Sequence, residues 1–431
     1  MKKTLLLLAV CGSFTITAQT FKKCLSKEAI GYQDQLTPGY ANNVNEQFEI
    51  ARQWAQNNDP KRSVYTIPVV FHIVYNTPEE NLPDSVILNQ LAGLNADYGR
   101  YNADTSNMRS EFQPVAGATQ VQFILAGIDP NGNPTSGITR TSTSTASFGS
   151  FNIFFGDFTD VEKVKSTADG GIDAWDQTRY LNIWVCDMSI NGQTLLLGYA
   201  TPPANMPNWP VGSAPDLGDG VVLQYQVIGS NNPNDLGIAN YDVLGRTATH
   251  EIGHYLGLRH IWGDGDCTQD DGIDDTPDAN DASQQDCDTS KNTCNADVVG
   301  LGDLHDMIEN YMDYSAETCQ NSFTRHQVDL MHGVLENQRY DLVHNNPAGL
   351  EELTIAVNCY PNPTNGLLMV SSTNLISNLT ISDLSGKSLA TYSIGSTKTT
   401  LDVSTFQSGV YLLNIAHSNG VMTQQRISVT H

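Results

Sequence analysis

The eleven residues from His250 to His260, HEIGHYLGLRH, restrict this chain more than any other segment. Positions four apart on an α-helix are turned by only about 40° and separated by about 6 Å along the axis, so His250 and His254 present their imidazoles to one point. Gly257 lets the chain leave the helix and double back, so that His260 brings a third nitrogen to about 2.0–2.1 Å from the same ion. Three neutral ligands leave a fourth position for water, which distinguishes a catalytic zinc from a closed structural one. Glu251, about 100° around the helix from His250, flanks that position as the general base for peptide bond hydrolysis. With 10 His and 35 Gly in 431 residues, Gly257 and His260 fall behind an HExxH by chance in roughly 0.002 of cases, so an ordinary helix is a weak competitor.

Length and charge set the context of this motif. A chain of 431 residues exceeds what one core usually serves, so two or three domains are expected. Hydrophobic residues at 39% and aromatic residues at 8% argue against global disorder. Lys and Arg number 22 against 47 Asp and Glu, a formal charge of -25 that repels phosphate backbones, so nucleic acid is not expected as a partner. Residues 1–18 pass from Lys2 and Lys3 through an apolar run to small residues, the order of a secretory signal peptide. Residues 19–62 read as a removable prosegment with a helical pattern in EQFEIARQWAQ, ending at Lys61 and Arg62. No later run of about 18 apolar residues exists, so no membrane span is expected, and the signal order implies a mature protein that is secreted or held at the cell surface.

From Tyr65, TIPVVFHIVY reads as a buried strand with His72 as a core histidine, and SVILNQLAGLNADYGRYN repeats apolar residues at helical spacing. Further strands at VQFILAGI, YLNIWVC, LLLGYA and GVVLQYQVI imply a twisted sheet covered by helices. A helix begins near Gly245 and carries the metal motif, and another spans FTRHQVDLMHGVLENQR. His305, His326 and His332 lack paired spacing and read as non-ligands. Residues 63–344 form the expected catalytic domain, 345–352 a linker marked by Pro347 and Gly349, and 353–431 a small antiparallel β-sandwich with strands at LTIAVNCY, GLLMVSS, LTISDL, GVYLLNIA and RISV.

Of eight cysteines, Cys267, Cys287, Cys294 and Cys319 fall in one stretch, which in an exported chain implies disulfides; three pairings are open. From Asp264 to Asp288 there are ten aspartates and no Lys or Arg, a charge that Ca²⁺ would relieve, although the EF-hand spacing is absent and a solvated acidic loop is the alternative.

Downstream, NYMDY places Met312 in a short turn after IEN. The long zinc motif and this methionine turn together resemble the metzincin metallopeptidases. LNIWV, LLLGYA, GRTATHEIGHYLGLRHIWGD, DDTP and NYMDYSAETC resemble the pappalysin family of that clan, over residues 65–342. The resemblance implies an α/β metzincin-like catalytic domain, a twisted mixed sheet with active-site and backing helices, followed by the small all-β domain. It implies zinc on His250, His254 and His260, Glu251 as base, Met312 as an apolar floor, and Tyr314 as the tyrosine that stabilises the tetrahedral intermediate. It also implies pairing of Cys267 with Cys294 and of Cys287 with Cys319, and calcium on Asp271, Asp274, Asp275 and Thr276.

Cys24, in FKKC, resembles the prosegment cysteine that takes zinc's open position in family proenzymes, although Leu25 stands where a glycine commonly follows; an incidental thiol is the alternative. Leu197, Gly198, Tyr199 and Ala200 resemble the edge strand that binds substrate by backbone pairing. Relatives that cut before Arg carry an aspartate ahead of the final paired cysteine, where this chain has Thr318, with Glu317 beside it. NCYPNPTNGLLMV, GVYLLNIA and RISV resemble the sorting domain of the type IX secretion route, whose machinery would then be a partner during export. The sequence is thus read as a secreted, calcium-stabilised zinc endopeptidase made as a proenzyme and acting on proteins or peptides. A zinc-bearing surface adhesin that binds without cutting is the alternative.

Overall fold

A computed structural model of the chain describes residues 21–58, 64–204, 218–238, 241–295, 297–298, 300–344, 357–383, 387–417 and 422–430. The expected signal peptide, the Lys61 and Arg62 pair and the linker at 345–352 lie outside the described residues. Helices α1 (Ser26–Leu36) and α2 (Tyr40–Asn57) come first. They precede β1 (Tyr65–Tyr75), α3 (Asp84–Gly99), a short β2 (Ala116–Gly117), β3 (Val121–Leu125) and β4 (Ile138–Ser142). A one-turn α4 (Thr159–Glu162) then leads to β5 (Leu181–Cys186), β6 (Gly198–Ala200) and β7 (Val221–Gln224).

The sheet runs β3, β1, β5, β7, β6, with β4 continuing the β3 edge of β1. Residues 65–69 of β1 pair with β3 and residues 71–75 with β4. All pairs are parallel except β6 with β7. Parallel strands need cover on both faces, and this explains why TIPVVFHIVY and LNIWVC read as near-continuous apolar runs. One face packs Phe71, Ile183 and Leu223 against α3 and the metal-motif helix; the other packs Val74, Trp184 and Val222 against Phe158 and Tyr199. His72 sits inside this sheet, bonded to Thr139 and Asn182 at 2.8 and 2.9 Å, and burial lowers its pKa to about 4. LLLGYA is strand only over its last three residues, at the sheet edge.

The metal-motif helix α5 (Arg246–Tyr255) has all ten residues buried. Two short pairs follow, β8 (Asp297–Val298) with β9 (Gly302–Asp303), and β10 (Phe323–Thr324) with β2. Then come α6 (Arg325–Glu336) and α7 (Tyr340–His344). Thr324 and Gln327 close a reciprocal capping box at the start of α6. Among the described residues no helix is long and apolar enough to cross a membrane.

The C-terminal region holds β11 (Val357–Tyr360), β12 (Leu367–Ser382), β13 (Ser388–Asp402), β14 (Gly409–His417) and β15 (Met422–Val429), all paired antiparallel. Two corrections to the sequence reading arise here. GLLMVSS and LTISDL belong to one strand, β12, whose register shifts between Ser371 and Ile376 let its first half pair with β11 and its second half with β14. Strand β13 was not foreseen, because its inward positions mix Tyr392 and Ile394 with Ser388, Ser396 and Thr399, while Leu389 falls on the exposed face.

Candidate metal centre

Helix α5 ends in a backbone motif that turns the chain back. The Gly257 N–H donates to the His254 carbonyl and the Leu258 N–H to the Gly253 carbonyl, both at 2.9 Å, with Gly257 at φ +93°. This turn brings His260 back beside the helix. The His254 Nε2 lies 3.1 Å from His250 Nε2 and 3.0 Å from His260 Nε2. Each Nδ1 has a fixed partner: the Tyr311 carbonyl for His250 at 2.7 Å, the Leu258 carbonyl for His254 at 2.8 Å, and the Asp264 carboxylate for His260 at 2.7 Å. Carbonyls only accept, so the Nδ1 atoms of His250 and His254 carry the protons and their Nε2 lone pairs face the common point. Burial and the neighbouring rings push the His250 pKa well down, and burial holds His254 at about 3. Nitrogen ligands at about 2.0–2.1 Å from one tetrahedral ion stand about 3.3 Å apart. The donor set therefore fits zinc, since lone pairs this close need a cation between them.

Met312 is buried beneath the helix, and Gly253 makes room for it: a Cβ there would meet the Met312 sulfur at 2.4 Å. Behind the turn, the Tyr311 hydroxyl and Thr249 hydroxyl both donate to Asp97, at 2.9 and 2.8 Å, tying the carbonyl that orients His250 to α3. Trp262 stacks on His260 with ring centroids 4.3 Å apart.

Cys24 enters this centre. Its sulfur and the imidazole nitrogens of His250, His254 and His260 all lie within 4.8 Å of one another. The thiol also lies 3.4 Å from Glu251 Oε2, and the Tyr314 hydroxyl donates to the Cys24 carbonyl at 3.2 Å. Burial and the Glu251 charge push the thiol pKa well up, and burial raises Glu251 to about 8.

Residues on either side of Cys24 were not foreseen. Lys22 pairs with the segment before β6, its N–H donating to the Leu195 carbonyl at 2.7 Å and its carbonyl accepting from the Leu197 N–H at 3.2 Å. Leu25 donates to the Gly198 carbonyl at 3.1 Å. The Ser26 hydroxyl donates to Glu251 Oε2 at 3.0 Å and accepts from the Ala200 N–H at 2.9 Å. The segment from Lys22 to Ser26 thus lies along the Leu197 to Ala200 edge, whose Tyr199 side chain points away, into the core against Phe158. A Cβ on Gly198 would come within 3.0 Å of the Glu251 side chain, so the edge passes directly beside that carboxylate. Lys23 is buried, and its ammonium donates to the Ser315 carbonyl at 3.3 Å.

Cys267 is bonded to Cys294 and Cys287 to Cys319, with Cα atoms 5.5 and 5.9 Å apart. The calcium candidates are not gathered in the same way. Asp271 is buried and bonded to Thr276 at 2.9 Å. Asp275 instead accepts from the His326 N–H at the start of α6 at 3.0 Å, and Asp274 is exposed. His332 bonds the Thr119 carbonyl at 2.6 Å and His305 bonds Glu111 at 3.1 Å, both away from the metal centre.

Residues 168–336 match the pregnancy-associated plasma protein-A family of peptidases. An extracellular metalloprotease of Uncinocarpus reesii is 30% identical over 270 residues, which span 62% of this chain and 75% of that protein. The chain belongs to the pappalysin family. Two solved structures agree with this membership. Mature mirolysin of Tannerella forsythia, in complex with a cleaved peptide, is 39% identical with a TM-score of 0.54, over 66% of this chain and 97% of that one. A promirolysin mutant from the same organism is 36% identical with a TM-score of 0.60, over 75% and 97%. This pappalysin is a secreted or surface zinc metalloprotease with the mixed α/β architecture of mirolysin. The alternative of an adhesin that binds without cutting finds no support in relatives that are metalloproteases. Residues 358–430 match the secretion system C-terminal sorting domain, which points to export by the type IX route.

Proposed function

We propose that this pappalysin is a latent endopeptidase in which His250, His254 and His260 hold zinc, Glu251 is the general base, and Cys24 blocks the site until residues 19–62 are removed. The observation that carries the proposal is the convergence of the Cys24 sulfur and three imidazole nitrogens within 4.8 Å. When bound, zinc supplies the Lewis acidity that polarises a peptide carbonyl and makes water acidic enough to attack at neutral pH. In the latent chain Ser26 and Cys24 both donate to Glu251 Oε2, and Cys24 stands where the attacking water would sit. Removing the prosegment frees the carboxylate, the Leu197 to Ala200 edge and the Tyr314 hydroxyl together. The edge then pairs with extended substrate, Glu251 carries the proton from water to the departing amine, and Tyr314 donates to the oxygen that becomes negative.

We take Lys23 as a guide to what one side pocket accepts. Burial lowers its pKa, and the charges of Glu317, Asp313 and Glu251 oppose that fall. Its ammonium donates to the Ser315 carbonyl with Glu317 nearby, where relatives have an aspartate at position 318, and we read the pocket as one for basic side chains. A peptide-library profile checks this: cuts beside Lys or Arg are expected, and a profile indifferent to charge contradicts it.

Processed protein is expected to digest casein, to lose that activity with a zinc chelator, and to fall by about 10²–10⁴-fold in a folded Glu251→Ala variant. Cleavage surviving that substitution removes Glu251 from its role. A Cys24→Ala precursor is expected to mature faster than the parent, and equal rates would retire the latency proposal. Calcium on Asp271, Asp274, Asp275 and Thr276 is proposed on the charge of the loop and on the family resemblance.

A further inference from the structure

The prosegment meets the catalytic region at two places. Lys22 to Ser26 lie across the metal centre, whereas α2 lies along α6 beyond it. The helix contact is shaped for close approach: a Cβ on Gly333 would stand 2.4 Å from the Ala51 carbonyl oxygen, although glycine within a helix is less favourable than alanine. Phe48 is buried, with its ring centroid 3.7 Å from the Arg259 guanidinium carbon, and it covers Gly272, where a Cβ would meet the ring at 2.7 Å. The Gln338 amide donates to the backbone and side-chain oxygens of Gln47, both at 3.1 Å. A cleft lined by Ser26, Val44, Phe48, His254, His260 and Val334 connects the two places.

We infer that the α6 face is a binding site for α2 in trans, so that the released prosegment returns to the mature enzyme and inhibits it. The inference rests on the reading of residues 19–62 as a removable prosegment. A cut near Lys61 and Arg62 breaks a covalent link but none of the contacts just described, since all are noncovalent. What is lost is the effective concentration that the link supplied. The partner recognised is an amphipathic helix that sets an aromatic side chain on Arg259 and a small residue against Gly333, as Phe48 and Ala51 do from one face of α2. The two anchors differ in consequence. The metal-site anchor blocks catalysis through Cys24, while the α2 anchor supplies affinity without touching the ligands.

The test titrates mature, processed enzyme with labelled peptides of residues 38–58 and 21–58. Both are expected to saturate below about 1 mM, the longer at least about tenfold tighter, and it alone inhibits cleavage of a short peptide substrate. Phe48→Ala in the shorter peptide and Gly333→Ala in the enzyme are each expected to weaken binding at least about tenfold. Because alanine favours a helix, the Gly333→Ala enzyme is expected to melt no lower than the parent, which separates a lost contact from a lost fold. Absence of saturable binding by 38–58 up to about 1 mM, or binding indifferent to both substitutions, overturns the inference. Failure of processed protein to cut casein overturns the peptidase reading instead, which the binding curves do not require.

Discussion

The metal arm from His250 to His260 and the acidic loop from Asp264 to Asp288 are neighbours in the chain, and both carry ligand chemistry. Only the first is drawn into a single cluster. Two of its histidines ride on one buried helix, and a hydrogen-bonded turn sets the third, so spacing in sequence becomes spacing in space. The loop has no such frame. Asp266, Asp270, Asp271, Asp286 and Asp288 each accept the N–H two residues on, at 2.8–3.1 Å, so their carboxylates serve local turns. Neutral imidazoles also carry no net charge to keep them apart until a cation joins them, whereas carboxylates repel each other. Ligand geometry is therefore legible where a rigid element carries it, and charge density alone does not specify a site.

This contrast can be broken or sharpened experimentally. The loop relies on covalent bridges for its shape, so replacing Cys267 and Cys294 by serine is expected to cost about 2–4 kcal/mol of stability in thermal unfolding. Its zinc content is expected to persist; loss of zinc would show that the arm depends on the loop. Gly253→Ala probes the arm from inside, because the new methyl meets the Met312 sulfur. About 1–3 kcal/mol of destabilisation is expected from overpacking, and an unchanged melting temperature would mean that the methionine turn yields freely.

Asp264→Asn weakens the acceptor that orients His260 and is expected to reduce zinc affinity by about 10–100-fold in a competition with a chelator. Asp274→Asn, on an exposed carboxylate of the loop, is expected to leave zinc affinity unaltered, and a matching loss would erase the distinction between the two regions. The smallest expected effect is calcium's: a calcium-selective chelator lowers the melting temperature by a few degrees without extracting zinc, and an identical melting curve removes calcium from the account.

Helix α5, its glycine stop and the buried strands β1 and β5 were readable because apolar run, periodicity and cap signals agreed along each segment. Strand β13 was not, since its inward Tyr392, Ile394 and Leu401 are interrupted by Ser396 and Thr399. Lys23, Ser26, Gly253 and Asp264 escaped for another reason: each acts on a residue reached through the turn or through the fold. Ser26 meets Glu251 across 225 positions of chain, and no local pattern marks that encounter. Glu317 was noticed only as a neighbour of Thr318, yet it accepts from the Thr247 N–H and hydroxyl, both at 2.9 Å, at the start of the metal helix.

The amino-acid order by itself determined that two histidines share a helix face, that the helix stops at Gly257, and that a third histidine follows within reach. These are short-range consequences of backbone geometry, which every helix obeys. Tertiary structure alone decided that the Cys24 thiol joins those imidazoles, that the Lys23 ammonium is buried against the Ser315 carbonyl, and that α2 lies against Gly333. Such contacts bring together residues hundreds of positions apart, and they form only when the packed sheet and helices hold both partners in place.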